Sequence, residues 1–554
     1  MARDDTERRR AEQRQAGQAA VDEPAVDLVV AGAGGGLAGA LRAAEAGLSV
    51  LVVDPDEQFT RGNNTSMSTA MIPGAGSRWQ REAGVEDSPE RFLADISAKT
   101  HGTADPVLAA ALAQLSAPLV EWLADGAGLP LQLVRDFSYP GHSADRLHTV
   151  EGRHGSVLLR HLHERVRRAP TIDMLVPARL VDVVTSGVAS GAPSGVASGV
   201  TTAGTGTNGQ GPVCAAVVEY PGGRRETITT RAVLLATNGY GADRARVARH
   251  LPGIAAADYH GGQFSRGDAL EIGARLGARS AFLDAYQGHA ALARRSRTLV
   301  GWATIMHGAI MVDAGGARFG DETTGYSEYA AALAARPGAR GWIVLDSRIH
   351  DLCRSFTDFR ETVEAGALVW ADDVERLAAR TGTPAGALAE SLAAQAAGAK
   401  AWAGAGAEAW AGAGAEAWAG AGAEAWAGAE AGVGSSGDDP FGRTFFEAPL
   451  RPPYAAVEVV PALFHTQGGL QVDGDARVRG GDGAPIPGLY ASGGAAHGIS
   501  GHGAAGYLAG NGLLPALGLA WQAANDVARA VTRHTVTRHT GTLVTGTPEE
   551  GTAP

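Results

Sequence analysis

Residues 25–55 read AVDLVVAGAGGGLAGALRAAEAGLSVLVVDP. An apolar strand runs into a glycine turn, an alanine-rich helix, a second apolar strand and a terminal acid. Gly32 and Gly34 let the backbone turn tightly against a pyrophosphate, and the helix that follows offers the positive end of its dipole. Asp54, at the end of the second strand, is placed to accept a hydrogen bond from a ribose hydroxyl. The usual GxGxxG spacing would put a third glycine at position 37, where Leu37 stands. The interval from Gly32 to Asp54 is also one residue short, so the turn reads as shortened by one, with Gly36 as the third glycine. The competing reading is a glycine-rich β–α turn that holds no ligand.

Working outward, RGNNTSMSTAMIPG (61–74) brings small polar residues soon after Asp54. Asn63, Asn64, Thr65 and Ser66 suit a loop lying over a pyrophosphate. AVLLATNGYGAD (232–243) is a buried strand ending in a turn with Thr237 and Gly239, which resembles the ATGG turn of FAD-binding oxidoreductases. No second glycine-rich strand–turn–helix occurs, so the expected dinucleotide is FAD, not NAD(P).

The 554 residues allow two or three domains or one large composite fold. A net charge of -12 with no basic stripe excludes a nucleic-acid footprint. Cys214 and Cys353 are too few for a disulfide scaffold or a cysteine-ligated cluster, and no metal site is expected. The apolar runs read as too short to span a membrane, and the arginine-bearing start lacks the apolar core of a signal peptide, so a cytoplasmic protein is expected. Four segments read as accessory: a disordered tail over 1–23, a Gly/Ser/Thr/Ala hairpin loop over 186–212, a Trp/Ala/Gly repeat over 401–434 and a disordered tail over 531–554. In the repeat, Trp402, Trp410, Trp418 and Trp426 recur every eight residues. That period is too short for a solenoid and matches no helix face. It reads as a tandem expansion in a surface loop, or else as a partner-binding arm.

Eight motifs in order then carry a resemblance: GNNTSMSTAM, PGHSADRLH, VLLATNGYGAD, SRGDALEIGARLGA, MVDAGGARFGDETTGY, DDPFGR, PPYAAVEVVPALFHTQGGLQVD and IPGLYASGG. From about residue 25 to 530 the chain resembles the flavoprotein family of soluble fumarate reductases and 3-ketosteroid dehydrogenases. The resemblance implies an α/β fold, with a Rossmann-like FAD-binding domain in two parts of the sequence (24–284 and 467–530) and an inserted α+β capping domain (285–466). It adds Asp268, Gly493, Gly510, Asn511, Gly512 and Leu513 to the FAD site. The last four open a helix whose N-terminus faces the flavin, the glycines being needed because a side chain would collide with the ring. Members with covalently attached FAD carry a histidine where this chain has Asn64 and Thr65, so non-covalent FAD is implied.

Chemistry on a C–C bond beside a carbonyl needs a hydride carrier, a proton-transfer group and polar groups for the developing oxyanion. By the resemblance, His289 and His465 match the two histidines that hold a substrate carboxylate. The general-acid arginine of the fumarate reducers falls on Tyr326, their second arginine on or near Tyr507, and the acid of their proton relay near Trp302. Ketosteroid dehydrogenases place a tyrosine at the position of Tyr326. Neutral tyrosines cannot replace two charge-assisted clamps on a dicarboxylate. The leading expectation is therefore a dehydrogenase or ene-type reductase for a CH–CH bond next to a carbonyl, served by an external electron donor or acceptor. The alternatives are an unsaturated or tricarboxylic-type acid clamped by Arg146 or Arg153, and a catalytically inactive flavin-binding protein whose repeat recruits a partner. The bland readings are a packed aromatic for Tyr326, satisfied core histidines for His289 and His465, and a structural His148. Roles for His497 and His502 are left open.

Overall fold

The computed structural model describes residues 24–136, 139–186, 211–410, 439–443 and 445–541. Strand β1 (Val26–Ala31), helix α1 (Gly36–Glu45) and strand β2 (Val50–Val53) form the expected opening unit. The apolar helix α2 (Pro106–Asp125) and the helix α3 (Gly155–Arg168) follow. Strands β3 (Ile172–Leu175), β4 (Arg179–Thr185), β5 (Val213–Glu219) and β6 (Arg225–Leu235) complete this first stretch. β4 and β5 pair antiparallel, with Thr185 opposite Val213, as the hairpin reading required. The intervening residues 187–210 lie outside the described residues.

The chain then builds a second sheet from β7 (Tyr286–Ala293), β8 (Ile310–Asp313), β9 (Gly341–Asp346) and β10 (Tyr454–Thr466). Helices α4 (Tyr326–Ala334), α5 (Thr357–Glu364) and α6 (Ala385–Trp410) lie between these strands in sequence. The thirteen-residue β10 is the spine of this sheet, pairing antiparallel with β7 and β9. The two-residue strand Asp258–Tyr259 pairs parallel with Ala462–Leu463, so the second sheet also recruits chain from ahead of residue 285. The chain finally returns to the first sheet with β11 (Arg477–Arg479) and β12 (Pro485–Ala491), and ends in the helix α7 (Leu513–Gly541).

The first sheet runs in the order β11-β12-β6-β1-β2-β3, its central strands parallel, with β5 and β4 added on the first half of β6. Leu28, Val29, Val30, Val233, Leu234 and Leu235 are fully buried, as strands covered on both faces require. α1 and α7 pack through small residues. A Cβ at Gly35 would lie 2.8 Å from Ala516, and one at Gly39 would lie 2.7 Å from the Ala520 carbonyl oxygen. The two helices therefore run in the same direction, and their N-termini lie side by side.

Three expectations shift. α2 has 20 residues and an 18-residue stretch of mean hydropathy 1.5, so among the described residues one helix is, by length and composition, long and apolar enough to cross a membrane. Its Leu108, Leu112, Leu119 and Leu123 are fully buried inside this fold, with Leu115 and Leu119 lying against Gly518 of α7. Helix α7 continues past the expected boundary at 530, leaving 542–554 of the predicted tail outside the described residues, as are 1–23. Helix α6 runs into the Trp repeat, where Trp402 packs edge-on against Phe445; residues 411–434 of the repeat are outside the described residues.

Candidate active site

The parallel strands β1, β2, β6 and β12 all end at one cleft, and the residues just past those ends line it: Gly32, Asp54, Thr237 and Gly493. Open α/β sheets hold ligands at this edge. The same cleft extends from these strand ends to His289 of β7 and Tyr326 of α4.

At the sheet end the wall is backbone. Gly32 has φ of 116°, and a Cβ there would sit 2.2 Å from the Ala236 carbonyl oxygen. A Cβ on Gly34 would meet the Thr65 hydroxyl at 2.9 Å. Gly36 is not part of the cleft lining; it faces Val30 and Ala236, the close helix–strand contact that a third glycine serves. Gly35, which sequence reasoning passed over, takes the place on the cleft wall. Asp54 accepts the Ala33 N–H at 2.7 Å and the Asp56 N–H at 2.9 Å, and burial raises its carboxyl above the ordinary carboxylate range. Each of its oxygens retains a lone pair for a ribose hydroxyl.

Asn63, Asn64 and Thr65 line the cleft, while Ser66 lies behind it, donating to the Asn63 carbonyl at 2.8 Å. Asn64 ties two segments together: its Oδ1 accepts from Gly262 N–H at 2.7 Å and its Nδ2 donates to the Phe464 carbonyl at 3.0 Å. Gly239 also lies outside the lining, since a Cβ there would strike the Thr466 hydroxyl at 1.9 Å. Asp268 is on the wall, held by both arms of Arg179 at 2.8 and 2.5 Å. Nothing in the run around Arg179 marked it out.

Gly493, Gly510, Asn511, Gly512 and Leu513 line the cleft as expected. The reason for the glycines is different. A Cβ at Gly510 would lie 2.5 Å from Pro73, and one at Gly512 would lie 2.9 Å from His465 Nε2. The protein's own packing demands them before any ligand is considered.

Two features of the cleft ask for a polar, anionic ligand. The N-terminus of α1 has no side-chain cap and lies beside that of α7, so two positive dipole ends face the same space. Thr237 Oγ1, Ser492 Oγ and Asn511 Oδ1 are buried on the wall with no hydrogen-bond partner among the described residues, each costing about 1–3 kcal/mol unless a ligand satisfies it. A dinucleotide pyrophosphate and a flavin ring edge meet both demands.

Beyond Leu513 the wall becomes aromatic. β7 carries His289 and β10 carries His465, brought together because Gln287 pairs with His465 and His289 with Ala462. Tyr326, the first residue of α4, stacks on His289 with ring centres 4.8 Å apart. Tyr507 meets Tyr326 edge-on with ring centres 5.8 Å apart, and a Cβ at Gly512 would lie 3.3 Å from the Tyr507 hydroxyl oxygen. Trp302 packs edge-on to both His289 and Tyr326, at 5.8 and 6.2 Å. The four expected catalytic residues therefore form one cluster on the cleft wall.

Burial sets the electrostatics. It lifts both tyrosine hydroxyls well above their ordinary pKa, reinforced for Tyr326 by its tyrosine neighbours. It pushes His289 down to about 3 and His465 to about 4, so both imidazoles are neutral. His289 Nδ1 accepts the Ala291 N–H at 3.1 Å, which leaves the Nε2–H tautomer as a donor.

Tyr139 was missed although it immediately precedes a quoted motif; it is buried edge-on to Tyr326 at 6.4 Å. The proposed carboxylate clamps fail. Arg146 is fully buried and held by Asp87 and Asp95, and withdrawing it would strand two buried acids at about 3–5 kcal/mol. Arg153 pairs with Asp136, stacks on Phe356 and does not line the cleft. His148 bonds Ser77 at 2.8 Å away from the cleft, His497 faces Asp105, and the exposed His502 pairs with Asp284. None of the three lines the cleft.

Residues 27–513 match the family model described as FAD binding domain, so the chain belongs to that family and is an FAD-dependent oxidoreductase. A protein of Shewanella frigidimarina named probable fumarate reductase Ifc3 is 26% identical over 483 residues, covering 86% of this chain and 70% of its own. The 4-oxocyclohexanecarboxylate 2-dehydrogenase of Sinomonas cyclohexanicum is 27% identical over 542 residues, covering 85% and 87%. Among solved structures, the open conformation of a flavocytochrome c3 fumarate reductase superposes with a TM-score of 0.67 at 25% identity, covering 93% and 81%. A 3-ketosteroid-Δ4-(5α)-dehydrogenase from Rhodococcus jostii RHA1 shares the fold, with a TM-score of 0.64 at 22% identity, covering 92% and 98%.

Proposed function

We propose that this member of the FAD binding domain family oxidises or reduces the carbon–carbon bond next to the carbonyl of a neutral ketone, with Tyr326 as its proton-transfer residue. The observation that carries the reading is the charge of the wall. Among the described residues lining the cleft, the only cationic side chain is Arg179, and Asp268 holds it. A dicarboxylate would enter a neutral aromatic chamber without a counter-charge, at a cost of several kcal/mol per ion.

FAD held at Gly32, Gly34, Asp54, Thr65, Thr237, Asp268 and the α7 N-terminus supplies hydride-level redox chemistry. The protein supplies the proton and the polarisation. The Tyr326 hydroxyl is protonated across the physiological range, ready to give its proton to carbon in a reduction. In the oxidising direction the Tyr326 oxygen, its own proton first released to solvent, receives the proton from carbon. His289 Nε2–H and the Tyr507 hydroxyl are the donors available to a ketone oxygen. An external electron donor or acceptor completes the cycle.

The test is anaerobic mixing of the oxidised and the reduced holoprotein with cyclic ketones, 3-ketosteroids and their unsaturated partners. A change in flavin absorbance with one of these classes, lost in Tyr326→Phe, is expected. No response from any ketone, or full activity in Tyr326→Phe, overturns the reading. A second reading, reduction of an unsaturated acid, is favoured by the fumarate-reductase relatives and by the two retained histidines. Fumarate reoxidising the reduced flavin faster than cyclic enones do would establish it instead.

A further inference from the structure

At the cap side of the chamber the cleft wall includes a carboxylate that no proton-transfer or FAD-binding role uses. Asp358 stands in the first turn of α5, lines the cleft, and its side chain is 14% exposed. Among the described residues no hydrogen-bond donor reaches its carboxyl. The nearest charge-capable atom is His154 Nε2 at 3.9 Å, on an imidazole that burial pushes toward its neutral form. Asp358 lines the same cleft as Tyr139 and Tyr326, whose rings meet edge-on at 6.4 Å. Its position is fixed. Thr357 Oγ1 donates to the Gly152 carbonyl at 2.8 Å, and Thr362 Oγ1 donates to the Leu299 carbonyl at 3.2 Å. A buried carboxyl left without a donor is costly, and a ligand that brings one removes the cost.

Resting on the ketone reading above, we propose that Asp358 is the specificity-determining residue of the chamber: it takes a hydroxyl on the far side of a ketone substrate and turns away a carboxylate at the same place. The surroundings agree. Burial, reinforced by the charge of Glu361, raises this carboxyl to about 7, the signature of an acid without enough donors around it. Arg153, the nearby guanidinium, is spent on Asp136 and the Phe356 ring.

The test uses the FAD-loaded protein, Asp358→Leu and Asp358→Asn, with two matched probe sets. One is cyclohexanone bearing a 4-hydroxymethyl, 4-methyl or 4-carboxylate group; the other is a 3-ketosteroid with and without a 17-hydroxyl. Binding is read from the ligand-induced shift in melting temperature, which needs no turnover, and kcat/KM is read beside it. In at least one set the hydroxylated probe binds roughly ten-fold or more tightly than its unhydroxylated partner, the worth of one hydrogen bond to an ionisable group. That advantage disappears in Asp358→Leu and is partly kept in Asp358→Asn, whose amide oxygen still accepts. Equal binding within both pairs, or an advantage that survives Asp358→Leu, overturns the proposal. Hydroxyl-dependent binding without any flavin response would instead sink the ketone reaction and leave the site standing.

Discussion

Where β1 turns into α1, the cleft is walled by backbone; around Tyr326 the same cleft is walled by rings. The first wall is held by glycines that the fold cannot replace, since a methyl at Gly32 would overlap the Ala236 carbonyl. The second is held by aromatic packing that tolerates many side chains of similar size, and its chemistry rests on which polar atoms the rings carry. Sterics therefore fix the cofactor end, and substitution at a few positions resets the substrate end without disturbing the frame.

The largest effect should come from Gly32→Ala. Positive φ and overlap with the Ala236 oxygen together cost roughly 2–6 kcal/mol. Bound FAD, measured from the absorbance of the purified protein, should be lost or nearly so. A variant that keeps stoichiometric FAD and its melting temperature would erase the contrast between the two walls.

Tyr326→Phe should do the opposite. FAD content and melting temperature should hold, while flavin reduction or reoxidation by a ketone substrate slows by about 10²- to 10⁴-fold, the worth of a positioned proton donor. A loss of folding here would mean that Tyr326 is chiefly packing. Gly512→Ala lies between the two. It presses on His465 Nε2 and the Tyr507 oxygen, so turnover should fall with little change in FAD content.

This difference also explains what could be read in advance. The opening β–α–β unit, the paired strands around residues 186–212 and the glycine run before α7 were legible because backbone geometry admits few residues there. His289, His465, Tyr326 and Tyr507 were located through motif order, and strand register then brought them together. Arg179 and Asp358 were not legible. Arg179 opens an alternating strand and Asp358 lies in the first turn of a short mixed helix, neither in a motif, and only the tertiary fold turns one toward Asp268 and the other toward the cleft. Arg146 misled in the other direction: a lone arginine in a quoted motif is indistinguishable from a clamp until Asp87 and Asp95 are seen around it.

A pH series sharpens the comparison further. His142, His289 and the pair His148 and His465 are held at about 3, 3 and 4 by burial, against an ordinary value of 6.5. Between pH 6.5 and those values the unfolded chain binds protons that the folded one refuses. Stability is therefore full above 6.5 and falls as the pH drops, by up to about 1.4 kcal/mol per unit for each histidine. Melting temperature should decline steeply below pH 6, and His289→Gln should flatten the decline.

The smallest effect is expected from removing residues 411–434. Helix α6 is fastened to the cap upstream of that segment. Gln395 donates to the Ala448 carbonyl at 2.9 Å and to the Gly308 carbonyl at 3.2 Å, and accepts the Leu450 N–H at 3.0 Å. Gly398 lies against Phe446, and Trp402 packs on Phe445. None of these contacts involves the deleted residues. FAD content, melting temperature and ketone turnover should match the full chain within error. A fall in turnover at unchanged FAD content would tie the repeat to the aromatic wall; a fall in FAD content would tie it to the glycine wall.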